Sequence, residues 1–290
     1  MSAASLIQPA LRDDTLLADI AVAQRDPAAL HVWWLGQSGF LAAWGGVTVL
    51  FDPYLSDSLT RKYAGTDKPH VRLSARVIAP ERLDFVDVVT SSHNHTDHLD
   101  PDTLRPLAQA NPGLVMVCPE ANRATVRERS GLPDERIVGL DAGGIAKLET
   151  RNSKLDVHAV PAAHESLDAD PQGRHLFLGF VVRLGPFTIY HSGDTVRYAG
   201  LAERLRPFAV DVALLPINGR APERRVAGNL DGAEAAQLAH DLGARVVVPC
   251  HYDLFAFNTA SPGGFTAACD ALGQPHRVLR LGGRLTLAAR

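Results

Sequence analysis

Apolar residues run along this chain in short bursts of four to seven, split by polar or glycine-rich breaks, a rhythm that predicts strands more often than helices. Runs at 31–35, 40–44 and 47–51 predict three successive strands, the last two joined through Gly45-Gly46 at hairpin spacing. Further β-branched or apolar runs at 85–90, 114–118, 155–160, 187–190, 210–216 and 245–249 predict six more. Helical spacing is rarer. It appears at Leu16, Leu17, Ile20 and Ala21, where Asp13 or Asp14 can cap a helix that stops before Pro27. It returns after Pro101, with Leu104, Leu107 and Ala108, and again over 120–129 and 230–242. The last of these opens with the capping-box pair Asp231 and Glu234. Gly282-Gly283 between 277–281 and 284–287 predicts a terminal hairpin. The stretch 54–83 has no clean period and holds Arg61, Lys62, Lys68, His70, Arg72 and Arg76. A loop of that length is usually functional or mobile, so it is a candidate lid, with a solvated excursion as the alternative. With no repeat, low-complexity segment or linker, the expectation is one α/β unit over 1–290, two sheets face to face with helices outside.

Composition narrows the class. Apolar residues make up 46% of the chain and charged residues 21%, ordinary proportions for a soluble globular protein. A formal charge of −3 offers no basic field for nucleic acid and no polybasic membrane patch. Cys118, Cys250 and Cys269 form no C-x-x-C pair, which favours reduced thiols and a reducing compartment. Asp13, Asp14 and Asp19 interrupt any signal-peptide core, and no apolar run approaches the ~18 residues of a membrane span. The expected location is cytoplasmic.

The chemistry concentrates in Ser91-Ser92-His93-Asn94-His95-Thr96-Asp97-His98-Leu99-Asp100. This H-x-H-x-D-H pattern lies where a predicted strand hands over to a predicted helix. His93 and His95, two apart in extended backbone, can point the same way, while Asp97 and His98 can face a second point on the turn. Imidazole with carboxylate suits zinc, manganese or iron. Three later strands also end near ligand-type residues: His164 after Pro161-Ala162-Ala163, Asp194 after Gly193, and His251 after Pro249-Cys250. Gly193 would allow close backbone approach. Asp52, at the end of an early strand, is a candidate carboxylate for a ligating His N–H, and His191 a candidate for the same supporting layer. Cys250 should face away from its neighbour His251, into the core. Gly36-Gln37-Ser38-Gly39 fails the spacing of a nucleophilic-serine elbow.

H-x-H-x-D-H followed by a lone His, a Gly-Asp and a final His resembles the metallo-β-lactamase superfamily from about Trp33 to the end. Trp33-Trp34-Leu35-Gly36, Tyr190-His191-Ser192-Gly193-Asp194, Asp211-Val212-Ala213-Leu214 and the segment from Ala244 to His251 look closer to its L-ascorbate-6-phosphate lactonase-like branch. His164 departs from that branch and favours a complete two-metal site. The resemblance implies a four-layer αββα sandwich with the metal site at one rim of the sheets. It implies two divalent transition-metal ions: His93, His95 and His164 at one, Asp97, His98 and His251 at the other, Asp194 bridging. The nucleophile would be metal-bound hydroxide, oriented by Asp97 in a catalytic role. An anionic substrate would want an arginine near the rim, and Arg220 with Asn218 is the candidate. The leading expectation is a hydrolase opening a lactone or related ester, with a sugar phosphate as one option. Its rivals are a phosphodiesterase acting on nucleic acid or phospholipid and a non-catalytic metal-binding module. The expected partner is a small anionic molecule, with neither nucleic acid nor membrane, and a homo-oligomer is left open.

Overall fold

Which strand ends meet at one rim decides what this fold can do. The computed structural model describes residues 5–150 and 153–290. Its first sheet holds β1 (Ala29–Gly36), β2 (Gly39–Trp44), β3 (Val47–Phe51), β4 (Val88–Thr90), β5 (Val115–Pro119) and β6 (Ile137–Leu140). The second holds β7 (Ile145–Glu149), β8 (Lys154–Pro161), β9 (Leu178–Leu184), β10 (Phe187–His191), β11 (Val212–Pro216) and β12 (Val246–Cys250). The last strand, β13 (Arg284–Ala288), returns to the first sheet, giving the orders β13-β1-β2-β3-β4-β5-β6 and β12-β11-β10-β9-β8-β7.

Each sheet is antiparallel in one half and parallel in the other. β1, β2 and β3 alternate in direction, and β3, β4, β5 and β6 then run together. In the second sheet β7 to β10 alternate, and β10, β11 and β12 run together. It follows that β1, β3 and β4 end on one edge of their sheet, and β8, β10 and β12 on one edge of theirs. Those six ends lead into Gln37, Asp52, His93, His164, Asp194 and His251.

The helices cover the outer faces. α1 (Asp13–Ala23) buries Leu16 and Ile20, and Asp19 accepts the Trp33 indole N–H at 2.8 Å. α2 (Ser58–Lys62) is one short turn before the motif. α3 (Pro101–Ala110) and α4 (Arg123–Ser130) pack together beside β5 and β6. α6 (Gly232–Leu242) packs on β11 and β12, with α5 (Leu201–Leu205) and α7 (Gly263–Leu272) against α6. The result is a four-layer αββα sandwich. Both faces of β1, β3 and β10 are buried, and Phe51 on β3 stacks on His191 of β10 at 5.3 Å. Burying a Phe, Leu or Val side chain contributes roughly 1.5–3 kcal/mol, so this seam sets the rim from behind. No helix among the described residues is long and apolar enough to cross a membrane.

Caps fix where helices start. The Asp231–Glu234 capping box forms as expected, with N···O distances of 2.8 and 3.0 Å, and α6 ends at Gly243 in left-handed backbone. At α1 the N-cap is Arg12, not Asp13 or Asp14; those carboxylates occupy the first turn, where they face the positive helix end. The expected terminal hairpin does not form. β13 pairs with β1, and 277–281 runs past without laddering to it, so Gly282-Gly283 turns the chain between neighbours rather than joining a strand pair. The β9–β10 hairpin turns instead at Gly185, at φ +58°, where a Cβ would lie 2.2 Å from the Trp44 ring.

The 54–83 stretch is a wall, not a free excursion. Leu55, Leu59, Val77 and Ile78 are buried, and backbone bonds from Leu73 N to Leu254 O and from Ala256 N to Val71 O tie it to 254–256.

Candidate metal centre

The motif leaves β4 at Thr90 and turns tightly, His98 N and Leu99 N both donating to the His95 carbonyl. Asp100 then caps α3, taking the Thr103 hydroxyl at 2.6 Å. This local folding alone presents His93, His95, Asp97 and His98 at the rim. Ligand atoms of His93, His95 and His164 lie within 4.8 Å of one another, and so do those of Asp97, His98 and His251. Asp194 stands between the groups: Oδ1 is 3.4 Å from His98 Nε2 and 3.3 Å from His251 Nε2, while Oδ2 is 3.7 Å from His164 Nε2. Gly193 makes this placement possible. At φ +60°, its absent Cβ would lie 2.5 Å from Ser92 Cβ.

Supporting groups hold the imidazoles from behind. Asp52, fully buried, accepts His98 Nδ1–H at 2.7 Å, Ser92 N–H at 3.0 Å and the Thr90 hydroxyl at 3.0 Å, and it also takes the Ser92 hydroxyl. This turns His98 Nε2 toward Asp97 and Asp194. The Gly228 carbonyl accepts His164 Nδ1–H at 2.9 Å and frees His164 Nε2 in the same way. A buried residue that nothing in the sequence singles out completes the frame. Gln37 Nε2 donates to Asp97 Oδ2 at 2.9 Å and lies 3.1 Å from His251 Nδ1, while the Gln37 carbonyl accepts from Trp34 Nε1 and His251 N. Gln37, Asp52 and His251 all have positive φ, at 48°, 38° and 67°. Such backbone persists only where surrounding contacts over-determine it.

Electrostatics point to a cation. Burial, reinforced by the His98 and His95 imidazoles, holds His93 well below the usual imidazole pKa, and burial also lowers His95. At His98 burial acts in the same direction, yet Asp194 and Asp97 outweigh it and raise its pKa well above the ordinary value. Burial alone would raise both carboxylates. His251 and His98 instead hold Asp194 well below its ordinary value, and His98 and His251 lower Asp97. The polar census agrees: His93 Nε2, His98 Nε2 and Asp194 Oδ1 are buried with no hydrogen-bond partner. Orphaned donors and acceptors of this kind are costly unless something else satisfies them. The residues fit a metal.

The other expected residues lie outside the cluster, at differing distances from it. His191 is buried behind the cluster, with Nε2 on the Ser38 carbonyl at 2.9 Å and Nδ1 accepting the Gly193 N–H at 3.4 Å, next to Asp194. Cys250 is buried with Sγ 4.0 Å from Ser38 Oγ. Arg220 and Asn218 are not at the cavity mouth. The Arg220 guanidinium pairs with Glu234, the capping residue of α6, and donates to Asn229 O at 3.3 Å. Asn218 is buried, its amide bonded to Asn258 Oδ1 at 2.9 Å, one layer behind the cavity.

That cavity, of about 450 Å³, opens over His95, Asp97, His164 and Asp194. Its other walls are Leu59, Lys62, Tyr63, Lys68 and His70 of the 54–83 stretch, Asn94 and Arg129, and 226–227 with Phe257 and Asn258.

A sandwich with clustered His and Asp at one rim defines a class, the metallo-β-lactamase fold, and comparison with known proteins agrees. The model of the beta-lactamase superfamily domain matches residues 47–252. A UPF0173 metal-dependent hydrolase of Hyperthermus butylicus is 30% identical over 233 residues, covering 80% of this chain and 87% of that protein. The solved structure of Igni18, a metallo hydrolase of Ignicoccus hospitalis, is 25% identical with a TM-score of 0.67, covering 90% of this chain and all of that one. An isothiocyanate hydrolase from Delia radicum gut bacteria shares the fold at 20% identity and a TM-score of 0.68, over 90% of this chain and 100% of that one. This chain belongs to the metallo-β-lactamase superfamily and, within it, to the UPF0173 metal-dependent hydrolase family.

Proposed function

We propose that this metal-dependent hydrolase holds two divalent transition-metal ions and opens a lactone or related ester of a small anionic molecule. His93, His95 and His164 would hold one ion, Asp97, His98 and His251 the other, with Asp194 shared. When bound, such ions polarise an ester carbonyl and bring water to an acidity at which it is a nucleophile near neutral pH. The chain's own residues do the rest. Asp52 and the Gly228 carbonyl fix the tautomers of His98 and His164. Gln37 restrains Asp97 through its amide N–H, keeping that carboxylate in line with His251.

The observation that supports this reading is the convergence of three buried atoms that make no hydrogen bond among the described residues, His93 Nε2, His98 Nε2 and Asp194 Oδ1. A structural zinc site is usually closed and thiolate-rich; the three cysteines here are buried elsewhere, and the cluster opens onto a cavity. A volume of about 450 Å³ lies within the range of small-molecule sites. The resemblance to the lactonase-like branch supports a cyclic ester as substrate. The test is a panel of lactones, linear esters and phosphodiesters offered to metal-reconstituted protein. The expected result is ester or lactone turnover that a chelator abolishes and added metal restores. Turnover of phosphodiesters alone would replace this reading by its rival.

A further inference from the structure

The cavity wall facing the metal rim carries charge and rings that ester hydrolysis itself does not use. Lys62, the last residue of α2, has Nζ 3.4 Å from Thr96 Oγ1 and 5.2 Å from the Tyr63 ring centroid. Lys68 Nζ donates to the Arg225 carbonyl at 2.5 Å. Neither lysine has an ion-pair partner among the described residues. Their basic neighbours do: Arg61 pairs with Asp102, Arg72 with Asp57, and Arg225 with Asp67. Arg61, Arg72 and Arg225 are thus neutralised outside the cavity, while Lys62 and Lys68, which line it beside Arg129, are not; Arg129 is spent on the Asn94 and Leu99 carbonyls. An ammonium has three donors, so each lysine keeps donors to spare.

The wall is braced. The His70 ring donates from Nδ1 to the Lys68 carbonyl at 2.9 Å, stacks on Tyr63 at 4.5 Å and lies 5.3 Å from Phe257. Thr60 Oγ1 holds the His70 carbonyl at 2.8 Å. Charge accumulates locally against the sign of the whole chain. The lining has Lys62, Lys68 and Arg129 against Asp97 and Asp194, both of which belong to the metal cluster, while the formal charge of the protein is −3.

We propose that Lys62 and Lys68 form a specificity subsite for an oxyanion, a carboxylate or a phosphate, carried on a flat, weakly polar ring that packs on Tyr63 and Phe257. This rests on the hydrolase reading above and adds the part of the substrate remote from the scissile bond. Binding there is uniform through the reaction, so it acts on KM more than on kcat.

The test uses metal-reconstituted protein and matched aryl esters: 4-acetoxybenzoate, 4-acetoxyphenyl phosphate and the neutral 4-acetoxybenzamide. The quantity read is the ratio of kcat/KM for each anion to that of the amide, in the wild type, Lys62→Met, Lys68→Met and the double variant. Comparing variants with the wild type cancels the intrinsic reactivities of the esters. Each single variant should cut the ratio about tenfold, the effect of one charge-assisted hydrogen bond. The double variant should approach the ratio set by reactivity alone, the change should sit mainly in KM, and salt should mimic it. Lys154→Met, on an ion pair with Glu149 in the β7–β8 ladder, should leave the ratio unchanged. Whichever anion loses more names the oxyanion. A ratio that survives in the double variant, or falls equally in Lys154→Met, overturns the subsite. If no ester is turned over, the ester reading fails separately, and calorimetry with 4-hydroxybenzoate and 4-hydroxybenzamide decides. Tighter binding of the anion that vanishes in the double variant upholds the subsite; equal affinities in the wild type overturn it.

Discussion

The metal rim and the wall opposite it line one cavity but are built on different terms. At the rim, His93, His98, Asp194 and His251 are buried and braced from behind, by Asp52 at His98 and Gln37 at Asp97 and His251. Their strands converge there because both sheets pair in parallel on the side that carries the motif. The wall comes from a long irregular stretch with a five-residue helix, and among the described residues its lysines meet only neutral acceptors. A rim held that tightly suits a reaction whose reacting atoms must be fixed. A wall whose lysines keep spare donors suits recognition, which can differ between relatives without disturbing the chemistry. The isothiocyanate hydrolase, alike in fold, shows how little the sandwich says about substrate.

If this contrast is right, substitutions should sort by side. The largest effect belongs to Asp194→Ala, which removes the carboxylate shared by both clusters. Activity should fall roughly a thousandfold or more, the upper range for losing a preorganised charged group, with loss of bound metal measured by elemental analysis. Near-normal turnover would break the distinction at once.

Asp52→Asn comes next. The side chain keeps its shape but not the charge that orients His98, and outer partners of ligating histidines are worth about 10–100-fold in metal affinity. Competition with a chelating dye measures this directly. An unchanged affinity would mean that the Ser92 and Thr90 contacts, not the carboxylate charge, hold the turn.

Arg220→Ala should be the mildest. Its partner Glu234 and its own guanidinium are both partly exposed, and such pairs contribute about 1 kcal/mol or less. Thermal unfolding should shift only slightly and metal content should stay unchanged. Loss of metal would move Arg220 into the rim's support.

The sequence showed the ligands of the rim residue by residue, and the wall only as a long basic stretch without a period, for physical reasons. Three histidines and an aspartate within six positions need no tertiary structure to be seen, and His164, Asp194 and His251 each follow an apolar run ending in small residues or proline. Asp52 was legible for the same reason. Gln37 was not: it acts because a left-handed turn after β1 folds its amide back onto Asp97, sixty positions away, and one glutamine between glycines carries no such signal. Arg220 misled because its partner, Glu234, was visible only as half of a capping box. In the fold, most of the expected apolar runs became strands, but β6 and β9 were not among those expected, β9 although it is apolar along nearly its whole length. The alternating, half-exposed β7 did not stand out, and the pairing of β13 with β1 depends on contacts across the whole chain.

The rim offers ligand groups for the two ions proposed. The most direct test is elemental analysis of the purified protein after metal reconstitution and removal of loosely bound ions. The account predicts close to two transition-metal ions per chain, falling when His164→Ala removes a ligand of one cluster. A single ion in the wild type, or none, with no change in the His164 variant, would contradict it.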